Sequence, residues 1–119
     1  MGHIYIYVKV KIADETLNKI LETQGIVDTK ATLTVIPRKI ASELGLKTTG
    51  SNTVETGAGK IKLDRSRAWL ELEGKSEIIP VLISDTIDKV LIGVTTLEIL
   101  GLQVDPIEGK LKEWTLLMY

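Results

Sequence analysis

From Ile4 to Ile12 the chain alternates without a break, Ile4, Ile6, Val8, Val10 and Ile12 against Tyr5, Tyr7, Lys9 and Lys11. A period of two puts the apolar set on one face of a β-strand and leaves the other face wet. A strand of this kind needs others to cover it, and the sequence supplies them. The polar stretch Asp14-Glu15-Thr16 turns the chain, and Ile20-Leu21 through Ile26-Val27 reads as the return strand, delivering Asp28 at its end. Thr34-Val35-Ile36 continues, Pro37 suits the first position of a short helix with Ile40 and Leu44 on one face, and Gly45 closes it. Thr53 to Thr56 and Lys60 to Leu63 flank Gly57-Ala58-Gly59 as a hairpin. Ala68, Leu70 and Leu72 alternate up to a turn at Gly74-Lys75, and Ile78 to Ile83 returns as a buried strand despite Pro80. Val90-Leu91-Ile92 forms a further strand ending at Gly93. Thr95 with Glu98 then reads as a capping box opening a second short helix closed by Gly101. The tail Leu116 to Tyr119 is an apolar end that calls for cover.

Two segments, Ile26 to Leu46 and Leu91 to Leu102, each run from an apolar strand through a turn into a short helix ending in Leu-Gly-Leu. With no linker or low-complexity tract between them, the chain reads as one mostly β domain over residues 1–119, a β-barrel with two short helices.

Composition narrows the chemistry. There are no cysteines, which excludes disulfides, thiolate metal sites and cysteine nucleophiles. The single histidine, His3, is too little for a multi-histidine metal centre and badly placed for a Ser-His-Asp triad. The 15 Lys and Arg against 16 Asp and Glu are interspersed, so no basic stripe awaits nucleic acid or an anionic membrane. The beginning Met1-Gly2-His3-Ile4-Tyr5 has no leader pattern and no apolar run approaches the ~20 residues of a membrane span, giving a cytoplasmic expectation. Any catalytic acid or base is therefore expected among carboxylates and lysines, with no metal and no cofactor.

Asp28 is the residue most suited to that role. Asp-Thr on its own is an ordinary Asx-turn, and Gly57-Ala58-Gly59 on its own an ordinary hairpin tip. Their combination is more specific. Ile26-Val27-Asp28-Thr29-Lys30-Ala31-Thr32 resembles the apolar-Asp-Thr-Gly-Ala signature of retropepsin-like aspartic proteases. Val90-Leu91-Ile92-Gly93 with its helix, about 90–101, resembles that family's second apolar-Gly motif, and the hairpin at about 53–63 stands where the family has its flap. Thr34-Val35-Ile36-Pro37 is similar to small non-viral members.

The resemblance implies a homodimeric aspartic endopeptidase with an acid optimum, acting on extended, largely apolar peptide or unfolded protein. Asp28 and its copy would form the catalytic dyad, since the motif occurs once. Thr29, Lys30 and Ala31 would support the active-site loop, Thr29 through cross-subunit hydrogen bonds. Thr56, Gly57, Ala58, Gly59 and Lys60 would close over substrate, and Ile92 and Gly93 would pack beneath the loop. The ends of the chain, Ile4 to Ile12 and Leu116 to Tyr119, would meet their copies in an intersubunit sheet. Lys30 departs from the motif's glycine: its side chain either crowds the groove, where an ammonium near a carboxyl lowers the pKa by about 1–3 units, or swings outward to solvent on its long stem. Thr32 and Val94 stand where many retroviral members place an acid and an arginine, so both ion-pair partners are replaced together. Besides the endopeptidase, two readings stand: a catalytically silent dimer that keeps its peptide groove, and an unrelated small barrel with a chance Asp-Thr.

Overall fold

The computed structural model describes residues 5–114, so His3, Ile4 and the tail Leu116 to Tyr119 lie outside the described residues. Within them the order is β1 (Tyr5–Ala13), β2 (Ile20–Asp28), β3 (Thr34–Pro37), α1 (Arg38–Leu44), β4 (Gly50–Thr56), β5 (Gly59–Leu72), β6 (Lys75–Ser84), β7 (Val90–Ile92), α2 (Val94–Leu100), β8 (Leu102–Asp105) and β9 (Lys110–Glu113).

The opening alternation holds: Ile6, Val10 and Ile12 are buried while Tyr5, Tyr7, Lys9 and Lys11 are exposed. Strands run in the order β1-β2-β7-β3-β6-β5, and β1 pairs with β5 through Lys11–Glu71, Ile12–Leu70 and Ala13–Trp69, closing a six-stranded barrel. Closure joins the two ends of that strand order to each other and leaves β4, paired only with β5, as the sheet's edge. Val10, Ile12, Val27, Ile36, Leu70, Ile79, Val81 and Ile92 fill the barrel with no exposed surface, each contributing about 1.5–3 kcal/mol by leaving water.

β5 serves two structures. Its outer part, Gly59 to Arg65, pairs with β4, and its inner part, Asp64 to Leu72, pairs with β6. Burial follows that division: residues 59–62 are exposed, whereas Ser66, Ala68, Leu70 and Leu72 alternate buried. The β4–β5 hairpin therefore projects from the barrel. At Pro80 β6 has an unpaired side, because β3 joins it only from Val81, and a residue without an N–H is tolerated there.

Two local readings are corrected. Pro37 is the last residue of β3, with ψ 143°, and caps the helix that starts at Arg38. Thr95 does not open a capping box: Gly93 is the N-cap of α2 and no side chain caps it. After α2 the chain forms the hairpin β8–β9, which covers the barrel through Leu102 and Leu111. Both helices end as expected on left-handed glycines, Gly45 at φ 71° and Gly101 at φ 72°.

Arg38 ties the start of α1 to two neighbouring segments, reaching Asp64 at 2.8 Å and Asp85 at 2.8 Å. The hydrogen bonds to Asp85 and then Asp64 push the guanidinium pKa up, and Arg38 in turn holds Asp85 below the usual carboxylate range. A depressed carboxyl pKa contributes stability that is present above the unfolded pKa and is lost as pH falls through the folded one. Asp85→Asn should lower the melting temperature by at most about a few degrees at neutral pH, the scale of an exposed pair. Once the pH has fallen well below the usual carboxylate range, mutant and wild type should melt together. A difference that persists in acid would show that this pair is not the source.

Candidate active site

Three strands and a crossing loop build the site. β7 lies between β2 and β3, parallel to β2 through Val27–Ile92 and antiparallel to β3 through Val35–Leu91. The chain linking β2 to β3, residues 29–33, must therefore cross the end of β7. Gly93 sits under that crossing: a Cβ on it would lie 2.5 Å from the Leu33 carbonyl carbon and 2.8 Å from the Thr32 oxygen.

The backbone N–H groups of residues 93–95 then hold the loop from below. Gly93 N–H donates to Thr34 Oγ1 at 3.1 Å, Val94 N–H to the Ala31 carbonyl at 2.9 Å, and Thr95 N–H to the Thr32 carbonyl at 3.0 Å. The first turn of α2 has no side-chain cap, and the loop carbonyls satisfy two of its unpaired donors, those of Val94 and Thr95. Thr34 and Thr96, both buried, share a hydroxyl hydrogen bond of 2.5 Å beneath.

Asp28 ends β2 half-buried, opposite Tyr5 in the ladder. Its Oδ1 accepts the Lys30 N–H at 3.0 Å, and its carbonyl accepts the Ala31 N–H at 3.0 Å. The Asx-turn foreseen as the ordinary reading is thus present, and it aims the carboxylate. Oδ2 has no hydrogen-bond partner among the described residues. A carboxylate held by one oxygen keeps the other for a proton, a water or a second acid.

The loop presents two faces. On one, Lys30, Ala31, Thr32 and Leu33 form a wall of a groove of about 480 Å³, with Asn52 to Glu55 of β4 opposite and Val35 and Leu82 also lining it. On the other, Thr29 borders a shallower depression of about 270 Å³ with Val94, Leu97, Leu102, Val104 and Trp114. Lys30 is exposed, and its ammonium has no ion-pair partner among the described residues.

Asp28, Thr29, Lys30, Ala31, Ile92 and Gly93 are thus gathered at one place. The hairpin tip stands apart: Thr56, Gly57, Ala58, Gly59 and Lys60 are exposed and do not line the groove. Thr56 Oγ1 accepts the Ala58 N–H and donates to the Gly59 carbonyl, closing the tip on itself. The groove wall is the preceding stretch, where half-buried Asn52 and Val54 alternate with exposed Ser51, Thr53 and Glu55. That alternation was readable only from Thr53 onward, because Asn and Gly blurred its start. Among the described residues no cluster of His, Cys, Asp or Glu could hold a metal ion, and no helix is long and apolar enough to cross a membrane.

The aspartyl protease family profile matches residues 8–105, which spans the barrel, the loop and the β4–β5 hairpin. The chain belongs to the aspartyl protease family. Solved structures show which branch of that family its fold follows. EIAV protease in complex with the inhibitor HBY-793 is 17% identical, with 82% of this chain and 88% of that chain covered at a TM-score of 0.67. The retroviral protease-like domain of Ddi1 from Leishmania major is 18% identical over 92% of this chain and 88% of that one, TM-score 0.61. A retropepsin-like aspartic protease from Rickettsia conorii is 19% identical over 87% and 85%, TM-score 0.59. The fold of this aspartyl protease family member is therefore retropepsin-like, and the unrelated-barrel reading is set aside. No curated protein matches the sequence.

Proposed function

We propose that the chain is a homodimeric aspartic endopeptidase in which Asp28 and its copy form the catalytic pair. The observation that supports this reading most is the Asp28 carboxylate, fixed through Oδ1 by the Lys30 N–H and unpartnered at Oδ2 among the described residues, at the loop that walls the groove. One chain offers one such acid, so the second comes from a second copy. Two carboxyls about 3 Å apart do not both ionise, and their pKa values separate. The ionised one takes a proton from water as the water oxygen bonds to the scissile carbonyl carbon, and the other donates its proton to the carbonyl oxygen. Collapse of the resulting diol, with protonation of the amide nitrogen, breaks the C–N bond. The apolar depression beside Thr29 suits the dimer contact, and the β4–β5 hairpin, with Thr56 to Lys60 at its tip, suits a cover over bound peptide.

A second reading rests on Lys30. Its side chain stands at the groove where the motif has glycine, which fits a dimer that binds peptide and does not cut it.

One experiment separates the two. A casein-like unstructured protein is incubated across acidic pH with and without a statine-type inhibitor, and the same samples are sedimented at micromolar concentration. Cleavage by a dimer, blocked by the inhibitor, is expected. Inhibitor-insensitive cleavage or a monomer would sink the endopeptidase proposal, and a dimer without cleavage would leave the silent binder.

A further inference from the structure

We propose that Lys30 makes this groove select peptides bearing an acidic side chain beside the scissile bond. The inference rests on the peptide groove of the preceding section and names its substrate class. The Lys30 N–H is bound to Asp28 Oδ1 at 3.0 Å, so the Lys30 backbone is fixed next to the acid and only its side chain is free to reach along the groove. The other groove-lining residues, Ala31, Thr32, Leu33, Val35, Asn52, Thr53, Val54 and Leu82, carry no charge, and Glu55 is the one exception.

Glu55 is directly opposite Lys60 in the β4–β5 ladder, where opposite charges attract across the strands, although no ion pair joins their side chains. Asp28 lies two residues before Lys30, yet no ion pair joins the two side chains, and β3 and β6 bring only Val35 and Leu82. Lys30 is the one cation among the described residues that line the groove. A peptide carboxylate entering beside Asp28 would supply the missing partner, and a cationic side chain there would be repelled.

The test uses the full chain and paired peptides that differ only by Glu or Gln, the residue being moved stepwise through the positions flanking the scissile bond. At pH 6 the best-placed Glu peptide should have a kcat/KM about fivefold above its Gln twin, the scale of a solvent-accessible ion pair. At pH 3.5, below the ordinary Glu pKa of about 4.3, the advantage should disappear because the peptide side chain is neutral. Lys30→Met should level the pair, and Lys30→Glu should reverse it in favour of a Lys peptide. Equal turnover of Glu and Gln peptides by the wild type overturns the inference and leaves hydrolysis standing. If neither peptide is cut, fluorescence anisotropy on the same peptides reads the preference without catalysis. Tighter binding of the Glu peptide then supports the inference even though the endopeptidase reading has failed, and equal binding overturns it.

Discussion

Asp28→Asn should reduce peptide hydrolysis by about 10³-fold or more, the scale of removing a positioned acid–base group, while the barrel melts as the wild type does. The two halves of that expectation come from the two oxygens. An asparagine keeps Oδ1 as an acceptor for the Lys30 N–H, so the turn that aims the side chain survives. The amide nitrogen replaces Oδ2, which has no hydrogen-bond partner among the described residues, and the half-buried site leaves it access to water, so no internal bond is lost. An amide cannot take the proton of water or share one with a second carboxyl. Asp28→Ala is the useful companion: it removes the turn acceptor too, so it should lose activity and also loosen residues 29–33. Steady-state kinetics and thermal unfolding of the two variants check both halves. Hydrolysis by Asp28→Asn at the wild-type rate would take Asp28 out of the mechanism.

Much of this arrangement could be read from residues alone, and the exceptions have physical causes. The period of two in β1 and the apolar run of β7 were legible because local pattern and burial agree there, each strand having one register that hides its apolar side chains. The helix stops at Gly45 and Gly101 were legible because a left-handed residue has few alternatives to glycine. The capping box failed for a tertiary reason. Thr95 and Glu98 have the right spacing, yet the donors of α2 are satisfied by Ala31 and Thr32, residues more than sixty positions away in sequence that no local window can see. The groove wall in β4 was missed for a related reason, since Asn52 and Val54 face inward only because β5 carries the hairpin alongside the loop. Asp28 itself needed both levels. Its turn is local, whereas the grip that holds the turn comes from β7 and α2.

That grip makes a second large prediction: Gly93→Ala should destabilise the fold by about 3 kcal/mol, at the upper end for an overpacked site, and should abolish activity with it. The added Cβ would meet the Leu33 carbon at 2.5 Å, the Leu33 oxygen at 2.6 Å and the Thr32 oxygen at 2.8 Å. These are backbone atoms, and they cannot swing aside as the end of a side chain would. The loop must rise, which stretches the bonds from Gly93, Val94 and Thr95 that fasten it to α2 and moves Lys30 N–H, the donor that orients Asp28. Thr34→Val probes the same joint by another route, because it leaves the Gly93 N–H and the Thr96 hydroxyl without their buried partner, a loss of about 1–3 kcal/mol. Gly57→Ala is the control: a Cβ there meets nothing within 4 Å, and Gly57 does not need a left-handed φ, so it should unfold near the wild-type denaturant midpoint. Urea titrations of the three variants, with activity measured in parallel, decide the matter. If Gly93→Ala unfolds where Gly57→Ala does and keeps its activity, the loop is not pinned by the end of β7, and the rigidity claimed for the Asp28 turn has to come from elsewhere.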